Sequence, residues 1–199
     1  MMRADDLTIQ RLRTHEVRDV YRKYLRNDFP RDERRPLRHI MSMRRRRQYE
    51  CYGAFREGRL VCYAFFIMPA LEGKRCCLLD YFAVVPELRG SRIGSRVLSQ
   101  FETHIRNMDL ILVEVEDPDR EEDPAKKALQ QRRLAFYLRN GLRDTLVRVE
   151  TFGVPYRILE IPLPQKKAET TEEEVRRVYE AFYRLPLKKG IFDRYIHFT

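Results

Sequence analysis

The stretch that most constrains this chain is residues 76–100, CCLLDYFAVVPELRGSRIGSRVLSQ. It opens on an apolar run, Leu78, Leu79, Tyr81, Phe82, Ala83, Val84 and Val85, rich in β-branched and aromatic side chains. The run breaks at Pro86, crosses a polar turn from Glu87 to Ser91, and resumes with Ile93, Val97, Leu98 and Phe101 at helical spacing. That order reads as a buried strand, a turn and a helix. In the turn, small residues alternate with arginines: Arg89, Gly90, Ser91, Arg92, then Gly94 and Ser95 after Ile93. A helix N-terminus offers unpaired N–H groups and partial positive charge, which together suit a phosphate. Glycine lets the backbone come close, and arginine adds charge.

The segment LDYFAVVPELRGSRIGSRVL resembles the acetyl-CoA-binding motif of the GCN5-related N-acetyltransferases, the GNAT superfamily, whose signature is Arg/Gln-x-x-Gly-x-Gly/Ala. Arg89, Ile93 and Gly94 match it, and Arg92 stands where the first signature glycine lies, adding a side chain and a further cation. A second segment, LAFYLRNGL from Leu134 to Leu142, resembles the family's Phe-Tyr-x-x-x-Gly-Phe element and follows about forty residues downstream. The resemblance covers residues 5–163. It implies an α/β (α+β) acyl-CoA N-acyltransferase fold, with a mixed, mostly antiparallel central sheet flanked by helices. The corresponding domain is expected over residues 1–164, with 165–199 as a C-terminal helical extension packed on it.

The resemblance also implies a chemistry, acetyl transfer from acetyl-CoA as co-substrate to a primary amine of a small molecule or peptide. Backbone groups of Ala83, Val84 and Val85 would hold the pantetheine arm, with a strand N–H near Val84 polarising the thioester carbonyl. The turn of Arg89, Gly90, Ser91, Arg92, Ile93, Gly94 and Ser95 would hold the pyrophosphate. Tyr137 matches the tyrosine that family members use as general acid toward sulfur. A phenol, with a reference pKa near 10, can donate to a thiolate of comparable basicity. The helix pair near the N-terminus would form one wall of the acceptor cleft, which makes Phe29, Glu33 and Arg34 candidates for acceptor contact.

An amine nucleophile must lose a proton, and a carboxylate near the cleft can take it. Asp80 is the first candidate, because a carboxylate in an apolar strand is costly unless paired or used. It shares a face with Phe82 and Val84 and not with Leu79 or Tyr81. A hydrogen-bonded Asp80 that fixes a neighbouring loop is the alternative. Glu114 and Glu116, on one face of the strand-like run LILVEV, are the reserve candidates and also suit a cationic acceptor.

The remaining chain reads in order. Leu7–Leu12 alternates as a first strand, and Thr14 caps a helix through Val17, Val20, Tyr21, Tyr24 and Leu25. A second helix is expected from Arg31 to Met43. Arg44–Arg47 is the densest charge run and reads either as a solvated helix end that complements the dipole or as a site for an anionic partner or the ribose phosphate of CoA. Tyr49–Arg56 and Leu60–Pro69 read as strands joined by Glu57-Gly58-Arg59. Leu110–Val115 follows the organising strand through a helical crossover and should lie parallel beside it. Six carboxylates crowd Glu116–Asp123 ahead of a helix over Pro124–Asn140, which Gly141 ends. Leu146–Glu150 and Tyr156–Ile161 are closing strands. Thr171 and Glu174 form a capping box, and the aromatic tail Ile191–Phe198 is expected to pack. The C-terminal segment is free to shield the cleft, complete a homodimer or cover the core.

Composition narrows the classes. At 199 residues the chain is long enough for one domain with a core, and no apolar run approaches a membrane span. The start, MMRADDLTIQ, does not read as a secretory signal, so a cytoplasmic protein is expected. Cys51, Cys62, Cys76 and Cys77 include no CxxC pair and read as reduced thiols without metal. The net charge of +10 invites a nucleic-acid reading, but the basic residues are spread along the chain and a polyanionic cofactor accounts for some of them. Nucleic acid is therefore set aside as a partner. A CoA-binding sensor or interaction module without turnover stands as the runner-up.

Overall fold

The structure, a computed structural model, describes residues 7–31, 33–105, 107–166, 168–183 and 192–199. The readings of the first six residues and of Ile191 fall outside them. The protein is mixed α/β, with a mostly antiparallel sheet flanked by helices. It forms two compact units, Met1–Met68 with Leu79–Arg106, and Pro69–Leu78 with Asn107–Thr199.

In chain order the first unit holds β1 (Thr8–Arg11), α1 (Thr14–Val20), a π-helical turn (Tyr21–Leu25) and α2 (Arg26–Asp28). It continues with α3 (Leu37–Arg45), β2 (Tyr49–Arg56), β3 (Arg59–Ile67), most of β4 (Cys76–Val84), and α4 (Ile93–His104). The first helix thus appears where its periodicity placed it, although its N-cap is Arg13, whose N–H donates to Glu16 at 2.5 Å. The second helix starts six residues later than expected, at Leu37. Pro36 explains this, because the residue before a proline is pushed away from helical geometry. The link between β2 and β3 is the two residues Glu57 and Gly58, both left-handed at φ 52° and 73°. That pair matches the right-handed strand twist, so Arg59 joins β3 instead of the turn.

β1 pairs antiparallel with β2, and β2 with β3. From Val61 to Ile67 every side chain of β3 is buried, so both faces of the strand are covered. The α4 face built by Ile93, Val97, Leu98 and Phe101 is buried as its spacing predicts, and Phe101 meets Phe66 and Phe82 edge-on at 5.2 and 6.0 Å. Gly53 in β2 sits in a tightly packed spot, since a Cβ there would lie 2.8 Å from Leu12 Cδ2 and push the surrounding side-chain ends aside.

The second unit holds β5 (Leu110–Glu116), α5 (Pro124–Arg139), β6 (Arg143–Thr151), β7 (Val154–Glu160), α6 (Glu172–Tyr183), α7 (Phe192–Tyr195) and β8 (Ile196–Phe198). β7 lies between β5 and β6, and β8 pairs on the far side of β6, all antiparallel. Asp123 caps α5 by accepting from Ala125 and Lys126 at 2.8 and 3.0 Å, with Pro124 at the first position. Gly141, at φ 87°, follows its end. The capping box of α6 is present in both directions between Thr171 and Glu174, each bond 3.2 Å. The segment after residue 164 belongs wholly to this unit, and its tail adds a strand as well as helices. β6 begins at Arg143, earlier than expected, and is irregular between Asp144 and Arg148, where Leu146 has φ 62°.

All four cysteines are free and buried, and burial pushes the Cys51 thiol up to about 12 and that of Cys76 to about 11. Among the described residues there is no His/Cys/Asp/Glu group arranged to hold a metal, and no helix long and apolar enough to cross a membrane.

Candidate active site

β4 alternates as its sequence does: Leu79 and Tyr81 are buried, while Asp80, Phe82 and Val84 are half-buried on the other face. Pairing with β3 continues one residue past the strand, where the Val85 N–H donates to the Val61 carbonyl at 3.0 Å. In an antiparallel ladder the neighbouring residue turns its backbone groups the other way. The Val84 N–H and carbonyl therefore face away from β3, and the carbonyl accepts from Arg89 Nε at 3.3 Å. The Val85 amide is thus already committed, and by the same alternation that of Ala83 also faces β3.

Pro86–Leu88 then forms a single 3₁₀ turn. The Arg89 and Ser91 amides donate back to Pro86 and Leu88, each at 3.3 Å. Gly90 takes φ 79°, and Arg92, the N-cap of α4, takes φ 62° and ψ 4°. The left-handed geometry that makes glycine useful at the signature position is thus adopted here by an arginine, at a cost of about 1 kcal/mol. The first bond of α4 runs from the Arg96 N–H to the Arg92 carbonyl, so the amides of Ile93, Gly94 and Ser95 have no acceptor within the helix. Arg92 is exposed beside them.

Two polar clusters lie behind this turn. In the first, Asp28 at the end of α2 has a side chain only 3% exposed. It accepts from Tyr63 Oη at 2.7 Å and from Arg89 at 2.5 Å. Burial first, and then the Asp28 carboxylate, push the Tyr63 phenol well up, so it serves as a donor only. In the second, Asp80 accepts from Arg35 Nε at 3.1 Å, from the other side of the same guanidinium at 3.5 Å, and from the Tyr49 hydroxyl. Burial alone would lower Arg35, but Asp80 with Tyr49 and Tyr81 more than offsets it and holds the guanidinium above its ordinary value. Tyr81 completes the cluster: its hydroxyl accepts from the Arg35 N–H at 2.7 Å and donates to the Glu33 carbonyl at 3.0 Å.

The loop between the clusters, from Phe29 to Arg35, is therefore pinned at both ends. Phe29 packs edge-on against Tyr81 at 4.9 Å, and Glu33 is exposed. Arg34 bonds the Arg26 and Pro30 carbonyls at 2.8 and 3.2 Å and so braces the loop backbone. The structure thus brings Phe29, Glu33, Asp80 and the turn from Ala83 to Ser95 into one unit.

Glu114, Glu116 and Tyr137 belong to the other unit. Glu114 accepts from Tyr179 of α6, and Glu116 pairs with Arg133 of α5. Tyr137 is buried on α5, its ring 5.3 Å from that of Phe136. The acidic run resolves into individual jobs. Asp117 pairs with Arg157 at 2.7 Å, Glu121 accepts from Gln130 at 3.1 Å, and Asp123 caps α5.

Sequence reasoning missed Asp28, Arg35, Tyr49 and Tyr63. A signal was present in part, since a tyrosine inside an apolar strand needs a partner for its hydroxyl. Nothing local says which residue supplies it.

The sequence profile of the Acetyltransferase (GNAT) family matches residues 14–138. Among curated proteins none matches the sequence. A protein from Bacteroides thetaiotaomicron assigned to the GNAT acetyltransferases superposes with a TM-score of 0.64 at 20% identity, over 91% of this chain and 99% of that one. A variant of the spermidine N-acetyltransferase from Vibrio cholerae gives 0.58 at 12% identity, over 78% and 92%. An Arabidopsis thaliana protein in complex with the bisubstrate analogue CoA-Ac-MVNAL gives 0.58 at 12%, over 79% and 99%.

Proposed function

This chain belongs to the GNAT acetyltransferase family, and on that premise we propose that it transfers an acetyl group from acetyl-CoA to a primary amine of a small molecule or peptide. The observation that carries the reading is the start of α4, where three successive amides without helical acceptors stand beside an exposed arginine. The residues suit a diphosphate: a Cβ at Gly90 would meet nothing within 4 Å, so the turn is open on that side. Ile93, Gly94 and Ser95 donate to the phosphates, and Gly90, Ser91 and Arg92 line the approach. Val84 presents its backbone edge to the pantetheine arm, with Ala83 and Val85 flanking it. Acetyl-CoA supplies the activated thioester.

In the proposed step the amine nitrogen forms the new C–N bond, the C–S bond breaks, and two protons move. The Val84 N–H polarises the thioester carbonyl. Asp80 receives the amine proton through a water, because both of its oxygens already accept from Arg35. Tyr137 protonates the departing sulfur. Phe29 and Glu33 contact the acceptor from the pinned loop, and Glu33, with Glu114 and Glu116, favours a cationic one. A structural neighbour that acts on spermidine and another bound to a peptide-bearing analogue represent the two acceptor classes.

Release of free thiol from acetyl-CoA, followed over spermidine, free lysine and a peptide with an unblocked N-terminus, tests the proposal. Turnover is expected with at least one of them, and Tyr137→Phe should lower kcat on the order of 100-fold. One observation favours the runner-up, a silent acyl-CoA-binding module: Asp80, Glu114 and Glu116 are all engaged by protein partners. Thermal stabilisation by CoA with no turnover on any amine would establish that module instead.

A further inference from the structure

The side chain of Arg89 is aimed away from the place its motif assigns it. The resemblance gives this arginine to the pyrophosphate, yet one end of its guanidinium is on Asp28 and Nε is on the Val84 carbonyl. Asp28 is the more demanding partner, with a side chain 3% exposed against 55% for Arg89. A buried carboxylate stripped of its cation keeps, among the described residues, the Tyr63 hydroxyl, and that is an expensive state. A phosphate in open solvent has other donors at hand, in the amides of α4 and in Arg92. Charge economy therefore holds Arg89 where it is.

We propose that the Arg89 side chain is a positioning group for the acceptor loop, tying the end of α2 to the phosphate turn through Asp28, and is not itself a ligand of the cofactor phosphates. The inference rests on the acetyl-CoA reading and deepens it. The loop from Phe29 to Arg35 is fixed at its far end by Asp80 and Tyr81 and at its near end by Tyr63 and Arg89. All four anchors come from β3, β4 and the turn that follows, so the acceptor wall and the phosphate turn order each other. Removing the ion pair from either side should release the same end of the loop.

The chain contains no tryptophan, so Phe29→Trp installs a single reporter on the loop. In that background Asp28→Asn and Arg89→Met should each shift Trp emission to longer wavelength by a similar amount. The double variant should add nothing, and Arg89→Lys should restore the original emission. CoA affinity by calorimetry should change less than threefold in Asp28→Asn. Arg89→Met removes the pair from the exposed side and keeps the test available should Asp28→Asn fail to fold. Emission left unchanged by loss of the pair overturns the proposal. So does a tenfold or greater gain in CoA affinity in Asp28→Asn, which would mean that Asp28 competes with phosphate for Arg89. Absence of CoA binding by the parent protein would defeat the acetyl-CoA reading, while the emission cycle would still decide the tether.

Discussion

The two units handle charge in different ways. In the first, Asp28 and Asp80 have side chains 3% and 11% exposed, and each is satisfied by one arginine and one tyrosine hydroxyl. In the second, Asp117, Asp119 and Asp144 share Arg157, with Arg148 bridging Asp117 and Asp144. Around a carboxylate this deeply buried, removing its cation or its hydroxyl leaves charge poorly compensated away from water. A shared network can redistribute its bonds and lose little. The closed clusters sit where the candidate site needs a loop held still. The shared network ties β6 and β7 to the segment that follows β5.

The largest difference should appear at Asp80. Asp80→Asn removes the carboxylate that Arg35 Nε bonds at 3.1 Å and should cost about 3 kcal/mol of stability in urea denaturation. Tyr49→Phe should cost about 1 kcal/mol, the worth of one hydrogen bond. A loss of less than about 1 kcal/mol for Asp80→Asn would mean that this cluster redistributes as the second unit's network does.

A smaller effect, about 1 kcal/mol, is expected for Asp117→Asn, and it should depend on pH. Burial alone would raise the Asp117 carboxyl, but the Arg157 bond, the Asp119 N–H and the nearby arginines hold it below its ordinary value. A carboxylate with a lowered folded-state pKa stabilises the fold above its unfolded pKa, near 3.9, and that stabilisation is lost as pH falls through the folded value. Asp117→Asn should therefore flatten the acid limb of the stability curve below about pH 4 and lower the plateau above it. An unaltered acid limb would remove Asp117 from the network's working members.

Smallest of all is the turn itself. Arg92→Gly relieves the left-handed strain at the N-cap of α4 and should raise stability by somewhat under about 1 kcal/mol, after the entropic cost of glycine is deducted. It should also weaken CoA binding, since the exposed cation is lost. A gain in stability with unchanged CoA affinity would confine Arg92 to a structural part.

These effects divide along the line between what was legible in the chain and what was not. β4, the turn and α4 were legible because a strand, a breaker and a 3.6-residue period follow one another within twenty-five residues. The cap at Thr171 and the stop at Gly141 were legible for the same reason, as their partners are three residues away or fewer. The start of α3 was misplaced because charged, helix-compatible residues from Arg31 to Arg35 outweighed the veto of Pro36. Of the clusters, the chain offered only the alternative of a hydrogen-bonded Asp80 beside a loop, and none of the partners. Asp28 meets Tyr63 across 35 residues and Arg89 across 61, and Arg35 meets Asp80 across 45. No local pattern encodes which distant hydroxyl will complete a carboxylate. The strand formed by Ile196–Phe198 was hidden likewise, since three residues carry too little alternation to be told from a packed tail.

The central claim is that the main-chain amides after β4 grip a diphosphate. A backbone amide NMR titration with CoA tests it most directly. Saturable one-to-one shifts are expected at Val84, Ile93, Gly94 and Ser95, with Val85, already bonded to Val61, moving far less. Saturation of the protein by CoA with those four amides unmoved, or no saturation at all, would contradict it.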